Sequence, residues 1–455
     1  MIVKGFGFDL HRAGREIFAA ALRRVAADEA IRRAVLIENS TLTVCENHYD
    51  LSTFASRIYV VAIGKAAYPM AAALDLILGD KLTAGVVTGV FPGADSAPST
   101  SLSERWSLFA GGHPGPNEAS LSAARAAFAL LARADAERAL VFFLISGGGS
   151  AMIEWPRDER VTLAELRLMN KVLVGCGASI AEINTVRRGV SSVKGGGLAR
   201  RAPRATQITL IISDTDPGDE RNVASGPTIV STQDADDAKA VIARYGLAPK
   251  LPPSVMRAVE QLSPPSAEPL NHKHFVLLDN EIAMAAAEEA AREFNFAVEA
   301  AHDLIGQHVG AGCALSLARL RALRECTPPD RVACLISGGE FACPVRGGGI
   351  GGRNAETVLR WAIELDAETS APTSAGGDAR FLVLSGGTDG IDGNSPAAGA
   401  FADEATLARA RSLGLDAHAS LDDSDAYTFF RRLGQTLAPG PTGTNVRDLR
   451  IMLLR

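Results

Sequence analysis

No stretch of this chain is rich enough in lysine and arginine to form a basic block, and its formal net charge is −6. Nucleic acids and anionic membranes both select a concentrated positive surface, so neither is expected as a partner. Long apolar runs are missing as well. Those at 58–63 and 140–145 have strand length, far short of the ~18 residues of a membrane span. A secretory signal pattern is absent from the start, where the apolar residues 17–22 are flanked by Arg15, Glu16, Arg23 and Arg24. That segment reads instead as one face of an amphipathic helix over about residues 9–36. The six cysteines, at 45, 176, 313, 326, 334 and 343, form no C-x-x-C pair and no Cys/His cluster. Reduced thiols in a cytoplasmic protein are the expectation, rather than disulfides or zinc.

What is present is a globular chain of 455 residues, 47% hydrophobic and 22% charged, long enough for two or three domains. Short β-rich runs at 58–63, 85–87, 139–145, 208–212, 275–278, 332–336 and 381–384 alternate with helical patterns such as 120–134 and 357–365. This alternation predicts an α/β protein with parallel sheets covered by helices. Prolines 252, 253, 264, 265 and 269 mark a linker over 251–269. It would separate an N-terminal domain (1–250) from a smaller C-terminal α/β domain (270–455). A further loop rich in Ser, Ala and Gly lies at 369–378.

Ser-Gly-Gly follows an apolar strand three times, at Ser146, Ser337 and Ser385. Glycine lets successive N–H groups turn inward, and a helix beginning just after adds partial positive charge, so such turns suit anions at strand ends. The familiar nucleotide motifs do not fit. Gly64-Lys65-Ala66 lacks the earlier glycine and following Ser/Thr of a Walker A loop. Gly347, Gly349 and Gly352 match G-x-G-x-x-G, but Pro344 interrupts the strand that should precede them, and no strand-ending acid follows at the right distance. Lys65 should stand at the rim of the sheet, where a ligand-facing cation and an ordinary surface lysine are equally compatible with the sequence. Asn184, Arg187 and Lys194 lead into Gly195-Gly196-Gly197. Asp214, Asp216, Asp219 and Glu220 follow the strand at 208–212, a placement that suits a general base or a Mg²⁺ ligand as well as a plain acidic turn. Asp389 and Asp392 share a glycine-loosened loop. Arg353-Asn354 is placed to clamp a phosphate or carboxylate, and Thr442-Gly443-Thr444-Asn445 forms a polar turn near the C-terminus.

In order along the chain, these segments resemble the glycerate 2-kinase family. The pieces are Gly64-Lys65-Ala66, then Gly112-His113-Pro114 with Pro116 and Glu118, then Ser146-Gly147-Gly148-Gly149-Ser150. Next come Asn184 and Arg187 leading to Lys194-Gly195, and Ser213-Asp214 leading to Ala224-Ser225-Gly226-Pro227-Thr228. Ser337-Gly338-Gly339-Glu340, Gly351-Gly352-Arg353-Asn354 with Glu356, the loop from Thr388 to Gly393, and Gly443-Thr444-Asn445 complete the set.

The resemblance implies ATP- and Mg²⁺-dependent phosphorylation of D-glycerate at its C2 hydroxyl. It also implies a Rossmann-like α/β/α N-terminal domain, a MOFRL-type C-terminal domain and an active site in the cleft between them. Catalytic roles fall on Lys65, Asp214 and Arg353. Phosphate or nucleotide binding falls on Ser146, Gly147, Gly148, Gly149, Ser150, Lys194, Gly195, Asn354, Thr442, Gly443, Thr444 and Asn445. Substrate binding falls on Asn184, Arg187 and Glu340, and metal binding on Asp214, Asp219, Asp389 and Asp392. The glycine run 347–352 would join the phosphate grip. The sequence departs from the family by inserting Asp216-Pro217 before Gly218-Asp219, which leaves the acidic role open between Asp216 and Asp219. Ala355 replaces a usual Gln, and Phe341-Ala342-Cys343 stands where Thr is common. The rival reading is an NAD(P)H-dependent reductase of hydroxypyruvate or tartronate semialdehyde. Oligomeric state stays open, a homodimer included.

Overall fold

The computed structural model describes residues 9–54, 57–91, 101–229, 237–260, 271–368 and 380–455. The chain divides into two compact units, Ala27–Leu278 and Met1–Ala26 joined with Asp279–Arg455.

Helix α1 (Leu10–Arg24) is capped by Asp9, which accepts from the N–H groups of His11 and Arg12, and carries Arg23 and Arg24 in its last turn. Both features favour a helix at this point. The helix expected over 9–36 ends here. A separate helix α2 (Ala27–Ala34) follows. Then β1 (Val35–Glu38), β2 (Thr41–Val44) and β3 (Asn47–Asp50) form a small antiparallel sheet. Val35, Leu36 and Ile37 pair with Val44, Thr43 and Leu42. The intervening turn places Asn39 at φ 56°, a conformation suited to two-residue hairpin turns. Here the hairpin wins over helical periodicity.

The sheet of the Ala27–Leu278 unit contains β4 (Ile58–Gly64), β5 (Leu82–Gly89), β6 (Trp106–Phe109), β7 (Leu140–Ser146), β8 (Thr206–Ile212) and β9 (His272–Leu278). Its order is β6-β5-β4-β7-β8-β9, with every neighbouring pair parallel. β4 and β7 are buried along their whole length, which explains why they are continuous apolar runs rather than alternating ones. The helices of this unit are α3 (Ala67–Leu78), α4 (Glu118–Ala136), α5 (Gly149–Met152), α6 (Leu163–Val174), α7 (Ile180–Val190), α8 (Ala238–Arg244) and α9 (Pro253–Glu260). Asn117 and Ser120 form a capping box that starts α4. Its Ala123, Ala127 and Leu131 share a core with Tyr59, Val61, Val141 and Phe143. Strand order reverses between β4 and β7. In a Rossmann-type sheet that reversal opens a crevice at the carboxyl ends of the strands.

The second unit continues with α10 (Asn280–Glu293), β10 (Ala297–Ala301), α11 (Val309–Cys326), β11 (Ala333–Gly338), α12 (Arg353–Glu368) and β12 (Phe381–Gly387). It ends with β13 (Gly399–Ala402), α13 (Thr406–Ser412), α14 (Ala417–Asp422), α15 (Ala426–Leu433), β14 (Thr436–Leu437) and β15 (Asp448–Leu454). The sheet order is β10-β11-β15-β12-β13-β14. Only β10 and β11 are parallel, because β15, last in the chain, inserts antiparallel between β11 and β12. Parallel pairing throughout, expected from the sequence, thus describes the first unit and not the second. Residues of α1 and α10 pack on one face of this sheet, and those of α11, α12 and α15 on the other.

The observed division differs from the one read off the prolines. α1 belongs with the C-terminal half because Leu10, Ile17 and Phe18 bury against Phe296, Leu382 and Leu453. β9, expected to open the C-terminal domain, pairs with β8 and closes the first sheet. Pro253 starts α9 rather than interrupting structure, as proline tolerates a first helical turn. Pro264, Pro265 and Pro269 lie outside the described residues, as does the loop at 369–378. Among the described residues, no helix is long and apolar enough to cross a membrane. The six cysteines are unpaired. Phe18→Ala is expected to destabilise the C-terminal unit by about 3–5 kcal/mol. Segment-resolved hydrogen exchange should show protection lost in β12 and β15 and retained in β4 and β7.

Candidate active site

Close approach of two strand ends shapes the switch point. Gly64 ends β4 at φ 114°, and a Cβ there would run into the Ser146 carbonyl. The N–H of Lys65 donates to the Gly147 carbonyl at 2.9 Å. The N–H of Ala66 donates to Ser146 Oγ at 3.0 Å, and that hydroxyl donates to the Ile63 carbonyl at 3.2 Å. Lys65 lies over Gly148, where a Cβ would sit 3.2 Å from Lys65 Cγ, and α5 begins at the next residue. One strand along, Ser213 is buried and Asp214 half-buried. Ile63 pairs with Ile145 and Ser146 with Ile212. Lys65, the Gly147–149 turn and Asp214 therefore occupy three adjacent strand ends, about 5 Å per step.

Beside this turn runs a chain of polar side chains. Ser150 and Ser225 share a hydrogen bond of 2.7 Å, and Ser225 donates to Asn184 Oδ1 at 2.8 Å. Asn184 donates to Asn222 Oδ1 at 3.2 Å, and Asn222 donates to both Asp219 oxygens at 2.7 Å. Ala224, Ser225 and Gly226 hold this chain in three consecutive left-handed conformations, φ 51°, 62° and 63°. Such backbone costs about 1–3 kcal/mol per non-glycine residue and persists where the surroundings enforce it. Arg187 donates to Asn170 Oδ1 at 2.9 Å and to Asn184 Oδ1 at 3.3 Å. Both acceptors are neutral, and burial lowers the pKa of this guanidinium, with Glu154 opposing.

In the second unit, α12 begins with Arg353 and Asn354. Arg353 Nε donates to Asp448 Oδ2 at 2.5 Å and Nη2 to Glu340 at 2.6 Å. Burial alone would lower the pKa of Arg353. Asp448 and Glu340 outweigh that and hold it above its ordinary value. Asp392, 2% exposed, accepts from the N–H groups of Asn354 at 3.0 Å and Ala355 at 2.8 Å. It occupies the anion position at the start of α12. The Asn354 side chain accepts from Ser385 and donates to Asp448. The Thr442 hydroxyl donates to the Thr388 carbonyl at 2.6 Å, fastening the C-terminal polar turn to the loop that carries Asp389.

Residues 13–260 match a domain of unknown function, DUF4147, and residues 333–448 match the MOFRL family. A D-glycerate 2-kinase from Thermotoga maritima is 35% identical over 403 residues, which span 88% of this chain and 91% of that protein. The chain belongs to the glycerate 2-kinase family. A glycerate kinase crystal structure from Thermotoga maritima superposes with TM-score 0.78 at 31% identity, covering 98% of this chain and 99% of that one. A protein of Agrobacterium vitis that carries the name "Putative hydroxypyruvate reductase" is 37% identical over 409 residues, 88% of this chain and 87% of its own.

Within this glycerate 2-kinase framework several expected roles are corrected. Lys194 is 1% exposed and ion-paired with Glu154, which also accepts from Ser191. Its ammonium is committed inside the fold and does not meet a phosphate. The N–H groups of Gly195 and Gly196 donate to the carbonyls of Ser225 and Gly226, so this glycine loop is a backbone splice. Ser146 likewise spends its hydroxyl on the β4 turn. The glycine run 347–352 is not a phosphate grip. The N–H groups of Gly348 and Ile350 donate to the carboxylates of Asp423 and Asp425, that of Gly349 to the Asp423 carbonyl, and that of Gly351 to Asn394. Asn354 and Asp392 are buried and hydrogen-bonded to each other, and Asn354 also donates to Asp448, so their polar atoms are engaged within the fold. Thr444 is also buried. Of the three Ser-Gly-Gly turns only the first leads directly into a helix, since Ser385 to Gly387 still lie within β12.

Sequence reading missed Glu154, Asn222 and Asp448, each of which has a partner 34 or more residues away in the chain. Burial pushes the Asp392 carboxyl up from 3.8 to about 7 against its two N–H donors. Its folded pKa exceeds its unfolded value, so within that window only the folded form holds the proton. Stability from this group is fullest at the acid end and is lost as pH rises through about 7. Asp392→Asn should flatten this slope in melting temperatures taken from about pH 5 to 8. An unchanged slope would assign the titration to another group.

Proposed function

We propose that the chain transfers the γ-phosphoryl group of ATP to the C2 hydroxyl of D-glycerate, giving 2-phosphoglycerate and ADP. The observation that carries this reading is Lys65 lying over a glycine turn at the switch point, with the Asp214 carboxylate two strands along. Phosphoryl transfer needs little covalent help from a protein. It needs positioning and cations aimed at the charge that develops on the moving group. Lys65 serves that role in the first unit; Arg353 of the second unit, one of whose nitrogens Glu340 holds, is a cation suited to an anionic oxygen of the substrates. Gly147, Gly148, Gly149 and Ser150 receive phosphate oxygens. Arg187, which among the described residues donates only to neutral acceptors, is suited to the glycerate carboxylate, and Asn184 fixes its guanidinium.

Mg²⁺ fits as an ion held mainly by nucleotide phosphates. Among the described residues no group of three or more His, Cys, Asp or Glu side chains offers a protein cage, and Mg²⁺ commonly uses only one or two carboxylates beside phosphates. Asp392 is buried, whereas Asp214, directly after β8 and the buried Ser213, is half-buried at the switch point, as is Asp219 further along the same loop. Asp214 would hold the ion, which neutralises phosphate charge when bound. An ATP-dependent reaction and unpaired cysteines suit a cytoplasmic enzyme.

The reductase reading draws on the name of the Agrobacterium relative. It lacks a dinucleotide loop here, because the one G-x-G-x-x-G match is closed by Asp423 and Asp425 and the turn after β4 is Gly64-Lys65-Ala66. Two parallel assays separate the readings. ADP release from ATP should depend on D-glycerate, and NADH absorbance with hydroxypyruvate should stay constant. The reverse pattern would overturn the assignment. Lys65→Ala is expected to lower kcat on the order of 10²–10³-fold. Unchanged turnover would remove Lys65 from the reacting centre.

A further inference from the structure

β15 runs antiparallel between β11 and β12, so its first residue stands where both of those strands finish. Asp448 pairs with Gly387 and Leu449 with Gly338. Side chains alternate along the strand. Met452 joins the core on the α11 and α12 side, while Leu449, Ile451 and Leu453 join the opposite one. Asp448, in phase with Met452, is thereby aimed at the start of α12. It is 2% exposed.

The guanidinium of Arg353 is held along one edge. Nε and Nη2 face Asp448, at 2.5 Å to Oδ2 and 3.5 Å to Oδ1, and Nη2 also reaches Glu340. Among the described residues Nη1 has no hydrogen-bond partner. Asn354 donates to the other Asp448 oxygen at 2.9 Å, which fixes the carboxylate in turn. A planar cation gripped at Nε cannot rotate about its last bond without breaking a charge-assisted hydrogen bond.

We propose that Asp448 is a positioning residue for the phosphoryl-transfer reaction: it locks the plane of Arg353 so that the Nη1 edge meets an anionic oxygen of the substrates. The inference rests on the assignment of Arg353 given above. A carboxylate that merely neutralised a buried charge would serve stability alone. One that sets orientation must act on turnover through Arg353 and through nothing else.

Steady-state kinetics of Asp448→Asn, Arg353→Ala and the double variant distinguish these roles. Asp448→Asn keeps the side-chain volume and should lower kcat on the order of 10²-fold, the loss expected from a misplaced group, with little change in KM for ATP. Added to Arg353→Ala it should change kcat by less than about twofold, since the group it positions is already gone. Additive losses, or wild-type turnover in Asp448→Asn beside an impaired Arg353→Ala, would overturn the role of Asp448. Wild-type turnover in Arg353→Ala would instead overturn the assignment of Arg353. If Asp448→Asn fails to fold, Asp448→Glu carries the same cycle. It keeps the charge one methylene away, and full turnover in that variant would count against positioning.

Discussion

Arg450 is 2% exposed, and its donors must all be satisfied within the C-terminal sheet. They reach Ser337 Oγ at 3.0 Å and the carbonyls of Gly339 at 3.0 Å, Leu304 at 2.7 Å and Gly338. Phe341 stacks 3.9 Å from the guanidinium. Burial pulls its pKa down to about 10, which still leaves it charged at neutral pH. The turn after β11 is therefore folded around a cation, with its carbonyls pointing in. Asn280 holds the same turn from the other side by accepting from the Gly339 N–H and donating to the carbonyls of Val446 and Asp448. Glu340, the next residue, leaves the turn at the right point to meet Arg353. Arg450, Arg353 and one antiparallel strand thus set the geometry at the start of α12.

The first unit solves a different problem with the same residue type. At the switch point glycine removes the Cβ that would keep β4 and β7 apart, and the space gained is filled by backbone of the neighbouring strand end. The resulting turn keeps Lys65 beside the N-terminus of α5. In the second unit the glycines are spent differently. Those of 347–352 lie against Asp423 and Asp425, and those of β12 remain in the sheet. Glycine density alone cannot tell a cradle from a splice. What separates them is whether carbonyls or side chains of the same chain already occupy the N–H groups.

That distinction explains how far the sequence could be read. The seven strands read from apolar runs are all present; β4, β7, β11 and β12 are buried along their whole length, which leaves a continuous hydrophobic signature. β15 escaped notice because Asp448 and Arg450 alternate with Leu449 and Ile451, which looks like a strand with a solvated face. Both charged residues are in fact internal, matched by partners contributed from α12, β11 and the turn after it. The helix over 9–36 and the proline boundary failed for a related reason. Local pattern cannot show that α1 docks on β12 and β15, or that β9 returns to β8. Lys194 and Asn354 were legible as polar residues near glycine but not as buried ones. Their commitments come from Glu154, Asp392 and Asp448, far away in the chain.

The position of phosphorylation tests the account most directly. ATP, Mg²⁺ and D-glycerate are supplied together with enolase and no phosphoglycerate mutase, and phosphoenolpyruvate is measured. Transfer to the C2 hydroxyl predicts immediate conversion, since enolase accepts the 2-phosphate. A phosphorylated product that enolase leaves untouched, or no phosphorylated product at all, would contradict it.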